Sequence, residues 1–245
     1  MQVKFSCAIV IFLATFAGAQ QIAPAPQAVH HEKAAQPAPS PDKIWLDLME
    51  GNKRFVAGKP KPRDVVSVRE SLTKVQHPRV MVLSCSDSRV PPELVFDQTL
   101  GDLFVVRAAG NITGPLGLAS LEYAFDHLDT RVLVVLGHTN CGAVTAACSG
   151  EKMPTPNLQA LVDQIEPAVT KVKQSATGKA LIEAAIKENV HQSAMDIVAR
   201  SEVLRNAKEQ HKLTIIEAEY QLETGEVVRL DKGAQKSKGS VRSGR

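Results

Sequence analysis

Two short β-branched runs constrain this 245-residue chain more than any other feature of it. Val80-Met81-Val82-Leu83 stops, one serine later, at Cys85-Ser86-Asp87-Ser88-Arg89. Val132-Leu133-Val134-Val135-Leu136 stops, through Gly137, at His138-Thr139-Asn140-Cys141. Continuous apolar runs of this length read as strands buried on both faces, as in a parallel sheet covered by helices. Open α/β sheets place their ligand crevices beyond the carboxyl ends of such strands, so the two polar clusters are predicted to meet there. The chain between them is no obstacle, because a crossover joining parallel strands needs that length.

Cys85, His138 and Cys141 offer two thiolates and one imidazole, the donors that zinc prefers. Three protein ligands are one short of a closed structural zinc site, and a position remains for water or substrate. Asp87 supplies a nearby carboxylate acceptor, and Arg89 can hold it ionised through paired hydrogen bonds. Together these groups read as a hydrolytic or hydration site. Alone, Asp87 and Arg89 would be a surface ion pair after a strand; beside a zinc ligand the clustering favours the site. Two thiolates cancel the ion's charge, so this zinc should be a weaker Lewis acid than one held by three histidines, and a helper that orients the nucleophile is expected. Asp87 fits that role. A Cys85–Cys141 disulfide is the competing reading of the thiols.

With these residues in view, the chain resembles the β-class carbonic anhydrases, whose two signatures are Cys85-Ser86-Asp87-Ser88-Arg89 and His138-Thr139-Asn140-Cys141-Gly142, over about Trp45 to Leu230. The resemblance implies an α/β fold, one zinc per subunit, and reversible hydration of CO2 to bicarbonate and a proton by a zinc-bound hydroxide. It implies substrate-pocket roles for Gln76, Phe104 and Tyr123, with Tyr123 near a dimer interface, and assembly as a homodimer or as an assembly of dimers. Those three residues also resemble the open-site members, in which the aspartate stays off the zinc. Gly142 opens a helix after Cys141, so its N–H could face the anionic product. Two other readings remain: a zinc hydrolase of carbonyl sulfide or carbon disulfide, and a non-catalytic zinc or thiol protein. Asp87 and Arg89 argue against the last, because metal storage has no use for an oriented acceptor.

The ends differ from this middle. Residues 1–19 pair Lys4 with an apolar stretch and end on Ala17-Gly18-Ala19, which reads as a secretory signal peptide with a small-x-small cleavage site. The apolar run is too short for a stable membrane anchor, and export into a bacterial periplasm is the expectation. Residues 20–42 form a Pro/Ala-rich spacer with too few large apolar side chains to offset ordering entropy, and His30 and His31 within it read as a solvated pair. Residues 232–245 are a basic tail with five cations and no acid. That tail and Lys4 hold six positive charges against a net of +3, which leaves −3 for residues 20–231. The basic balance therefore belongs to the tail and gives no support to nucleic-acid binding. The catalytic domain is expected over residues 43–231.

Within that domain the fold class is predicted as a three-layer α/β structure with a mainly parallel sheet. Ser40-Pro41-Asp42 starts a helix over Lys43–Val56, with Trp45, Leu46, Leu48, Met49 and Phe55 on its apolar face. It would pack either on a partner subunit, as the resemblance implies, or on its own domain. Leu103–Val106 reads as a second buried strand, and Pro115–Leu128 as a helix with Leu116, Ala119, Leu121 and Phe125 inward. A short helix follows Gly142 and carries Cys148 as a small core residue. Residues 157–209 read as helical, with a kink or break at Pro167. Leu213–Leu230 reads as two strands around a Thr224-Gly225 turn. His77, His127, His191 and His211 have no ligand-like neighbours in sequence.

Overall fold

A computed structural model describes residues 39–231. The signal peptide, nearly all of the spacer and the basic tail expected from the sequence lie outside the described residues, apart from 39–42.

Five strands form one sheet in the order β2-β1-β3-β4-β5. They are β1 (Val80–Ser84), β2 (Leu103–Arg107), β3 (Val132–His138), β4 (Thr214–Tyr220) and β5 (Val227–Arg229). The first four are parallel, and β5 returns antiparallel to β4 through the Thr224-Gly225 turn. From β1 the chain steps to β2 on one side, then crosses to β3 on the other. The sheet order therefore switches between β1 and β3, the place where parallel α/β sheets open a crevice.

Alternation along the strands sends side chains to two cores. Val80, Val82, Val132, Val134, Leu136, Ile216 and Ala218 face α1 (Pro41–Val56) and α3 (Pro92–Val95). Met81, Leu83, Leu133 and Val135 face the other layer, made by α4 (Pro115–His127), α7 (Gly178–Arg200) and α8 (Glu202–Glu209). A third cluster closes over the crevice end through α5 (Gly142–Ser149) and α6 (Pro156–Val172), with Cys85 and Cys141 inside it. Sheet with helices on both faces is the three-layer arrangement that the run pattern requires.

Helix α1 starts at Ser40, whose side chain caps the Lys43 N–H at 3.3 Å. Its Ile44, Trp45 and Leu48 pack on this chain's own sheet, Trp45 meeting Phe96 edge-on at 6.5 Å, while Leu46 is exposed. Asn52, buried on the same helix, bonds the Val95 and Gly225 carbonyls and the Val227 N–H, and so ties α1 to the β4–β5 hairpin.

Several expectations need correction. Strand β2 is an edge strand, half-buried rather than enclosed. On α4 the inward face is Leu118, Leu121, Ala124 and Phe125; Leu116 is 86% exposed and Ala119 is exposed too. Pro167 does not end α6, because Ile165, Ala168 and Val169 around it are buried and hold the turn in place; the helix stops at Val172 instead. Cys148 is half-buried. Helix α2 (Val65–Ser71), α3 and a 3-10 turn at Ala109–Asn111 had no sequence expectation. A polar cavity of about 520 Å³ opens at the amino ends of β1 and β2, beside Arg79, Asp97 and Asp102, at the opposite edge from the clusters.

Candidate metal centre

The crevice end of the sheet brings together the three proposed ligands. Cys85 is the first residue after β1, His138 is the last of β3, and Cys141 caps α5. All three are buried, and their donor atoms lie within 4.8 Å of one another. Adjacent parallel strands explain the first two positions, since Ser84 pairs with Leu136 and the chains leave the sheet side by side. A turn with Asn140 at φ 56° then swings Cys141 back to them.

The imidazole is aimed by its own loop. His138 Nδ1 lies 2.8 Å from the Thr139 carbonyl, which can only accept, so Nδ1 carries the proton and Nε2 keeps its lone pair. Nε2 is buried and has no hydrogen-bond partner, one of two such side-chain atoms among the described residues. A buried acceptor without a donor is costly unless a cation meets it. Beside two cysteines, that orphaned atom fits zinc. The cysteines are free thiols in this structure, with no disulfide between them.

Both sulfurs are surrounded by donors. Cys85 is pulled down from the ordinary thiol range first by the Cys141 S–H and, against burial, by the backbone N–H groups of Asp87 and Gly110, Gly110 N lying 3.3 Å from its sulfur. Cys141 is pushed up by the thiolate beside it and by burial, while the Ala143 and Val144 amides oppose the rise. Without a cation the pair thus keeps one proton; a dication would release it.

Asp87 sits at the rim with its Oδ2 3.9 Å from His138 Nε2. Arg89 forks onto it, Nε to Oδ1 at 2.9 Å and Nη2 to Oδ2 at 2.8 Å, and the Arg89 amide adds a third bond at 2.9 Å. Those bonds hold the Asp87 carboxyl far below the usual carboxylate range, against partial burial. Gly142 is exposed at the first turn of α5, with open space around its Cα.

Gln76, Phe104 and Tyr123 lie elsewhere. Phe104 pairs with Met81 at the start of β1, which puts it about 13 Å from Cys85 along the strand at ~3.3 Å per residue. Tyr123 stacks on Phe104 with ring centroids 6.3 Å apart, and Gln76 is exposed just ahead of β1. This chain's own centre is not lined by these three.

Other residues serve the centre without having been singled out from sequence. Arg107, at the end of β2, donates to the Cys85 carbonyl at 2.9 Å and to the Asp87 carbonyl at 2.6 Å, and so braces the first motif. A cation closing a strand beside the ligand strand was the available signal. Glu223, in the β4–β5 hairpin, accepts from Thr139 Oγ1 at 3.0 Å and Asn140 Nδ2 at 2.7 Å, and clamps the turn between His138 and Cys141. No local pattern could have shown that contact. Gly110 and Asn189 belong to the same group and are taken up below. His191 on α7, by contrast, pairs with Glu217 of β4 at 3.0 Å and stays out of the centre.

Comparison with known proteins agrees with this arrangement. A family model described as carbonic anhydrase matches residues 80–227. Carbonic anhydrase 2 of Mycobacterium tuberculosis is 36% identical over 199 residues, covering 80% of this chain and 95% of the relative. Among solved structures, the β-carbonic anhydrase CcaA matches with a TM-score of 0.61 at 27% identity, over 76% of this chain and 95% of that one. A chain from the crystal structures of two tetrameric β-carbonic anhydrases of Sordaria macrospora shares the fold, with a TM-score of 0.61 at 23% identity over 66% of this chain and 85% of that one.

Proposed function

This chain belongs to the β-carbonic anhydrase family, and we propose that it carries out that family's reaction, the reversible hydration of CO2 to bicarbonate and a proton, at Cys85, His138 and Cys141. The observation that carries the assignment is the buried, partnerless His138 Nε2 between two thiols, with an ionised Asp87 at its edge. When bound, zinc supplies the electrophile that makes water a nucleophile near neutral pH.

The protein's own groups do the rest. Arg89 takes both lone pairs of Asp87 Oδ1, through its Nε and its backbone amide, and one of Oδ2, so Oδ2, the oxygen facing His138, keeps another for the attacking water. Asp87 thereby accepts a water O–H and turns the oxygen's remaining lone pair toward carbon. Because Asp87 is held by Arg89 here, its oxygens stay free of the donor set, and this supports the open-site reading. Exposure of Gly142 at the α5 start supports a role for its N–H in receiving the anionic product.

Assembly follows from the residues left over. Gln76, Phe104 and Tyr123 are too distant to line their own centre, and Leu116 and Tyr123 expose an apolar stripe on α4. A homodimer that buries this stripe would bring those three residues to the centre of the second copy. Export to a bacterial periplasm is proposed on Lys4, the apolar stretch and Ala17-Gly18-Ala19. Among the described residues no helix is long and apolar enough to cross a membrane.

The test is zinc content measured together with CO2 hydration, in the parent and in Cys141→Ser. The parent should hold about one zinc per chain and hydrate CO2, and the variant should lose most of both, since one of three ligands is gone. Full zinc and full rate in Cys141→Ser would overturn the centre. Zinc without hydration in the parent would favour a storage role, or a related substrate such as carbonyl sulfide.

A further inference from the structure

Gly110 stands between two contacts of opposite kind. Its N–H donates to Cys85 Sγ at 3.3 Å, and its carbonyl accepts from Asn189 Nδ2 at 2.7 Å, in the buried interior. Its φ of 74° lies in the left-handed region, and a Cβ there would come within 2.6 Å of Ile165 Cδ1 and 3.2 Å of Ala143 Cβ. Only glycine fits, and glycine is also the softest link in a backbone. The anchor on its carbonyl therefore sets the direction of its N–H.

We propose that Asn189 is a positioning residue for the metal centre, acting through the Gly110 peptide on the sulfur of Cys85. Asn189 is 1% exposed in the middle of α7, a helix of 23 residues, so its amide is held by a rigid element. The same turn of α7 places Ile186 and Val190 against Gly137, the residue before His138. One stretch of helix thus registers two of the three ligands against each other. Each N–H aimed at a thiolate draws charge off the sulfur, and this matters most where two thiolates share one cation. Losing the Asn189 contact should let the Gly110 amide turn away and leave Cys85 a stronger electron donor.

This inference rests on the zinc reading, and cobalt(II) in the full-length reduced protein tests it by spectrum rather than by turnover. The parent should show a near-ultraviolet sulfur-to-cobalt charge-transfer band. Asn189→Asp, isosteric but without the amide donor, should move that band to lower energy, because the sulfur is more electron-rich. It should also raise the zinc dissociation constant roughly 10- to 100-fold, because the Cys85 turn is no longer held in place and lost positioning outweighs the stronger donor. Asn189→Ala, which puts no charge in the interior, keeps the test readable if the aspartate prevents folding. Ser193→Ala is the comparison: Ser193 lies one turn along α7, is also buried, and accepts from Asn111 Nδ2 at 3.5 Å rather than touching Gly110. It should lower the melting temperature and leave band and zinc affinity unchanged. If the Asn189 variants behave as Ser193→Ala does, the residue only packs and the inference fails. A parent without any sulfur-to-cobalt band would overturn the zinc reading, and this inference with it.

Discussion

Asp87 illustrates how much one contact decides. Its bonds to Arg89 push the carboxyl below its ordinary value, so the pair's contribution is complete above about pH 4 and is lost only as pH falls through the depressed value. Across pH 5–8 the aspartate therefore stays charged, and any decline of activity there comes from another group. The rate is expected to fall smoothly with pH in that window, without cooperativity. Asp87→Asn should keep its zinc and lose about 100-fold or more in CO2-hydration rate, because the amide presents a donor where the water needs an acceptor, and Arg89 loses its anion. A near-parental rate would make the Asp87–Arg89 pair structural only. A steep loss over a narrow pH range would instead mean that Asp87 leaves Arg89 for the metal.

At the scale of elements the centre depends on how closely α7 approaches β3. Gly137 has no room for a side chain: a Cβ would meet Val190 Cγ2 at 2.4 Å, with Asn111 Oδ1 at 3.5 Å. Both neighbours belong to packed elements, so one extra methyl must move the helix or the strand. Overpacking of that kind costs about 1–3 kcal/mol. Gly137→Ala should therefore lower the melting temperature and weaken zinc binding together, since His138 is the next residue. Adding Val190→Ala makes space for the methyl, and the double variant should melt higher than the sum of the two single losses predicts. Strict additivity in thermal unfolding would show that the helix tolerates the methyl by another route.

For the whole molecule the telling surface is the outer face of α4. Leu116 is 86% exposed and Tyr123 45%, on a helix whose other face is fully packed. An apolar side chain that exposed on an ordered helix invites a partner surface. Leu116→Glu places a charge on the stripe without touching the core. It should shift the protein toward monomer in light scattering and lower the rate, while the melting curve of the subunit keeps its cooperative form. An unchanged mass and rate would exclude this face as the one that joins two copies.

Everything legible along the chain was local. Apolar runs of strand length end on ligand-type side chains, and the donor chemistry of Cys85, His138 and Cys141 points to zinc, with a disulfide as the alternative that the folded chain removes. The capping set at Ser40–Asp42 and the Thr224-Gly225 turn were legible for the same reason: each is a property of neighbouring residues. Tertiary structure decided the rest. Leu103–Val106 looks as buried as Val132–Leu136 in sequence, and only sheet order makes β2 an edge. Helical spacing on α4 was visible, but Leu116 and Ala119 satisfy it as well as Leu118 and Ala124 do. Arg107, Gly110, Asn189 and Glu223 act across gaps of chain that no periodicity spans, and Gln76, Phe104 and Tyr123 lie at the end of the sheet away from their own metal centre. A sequence pattern reports that a side chain needs an apolar surface or a partner; which surface and which partner are properties of pairs, and only the packed chain brings the pairs together.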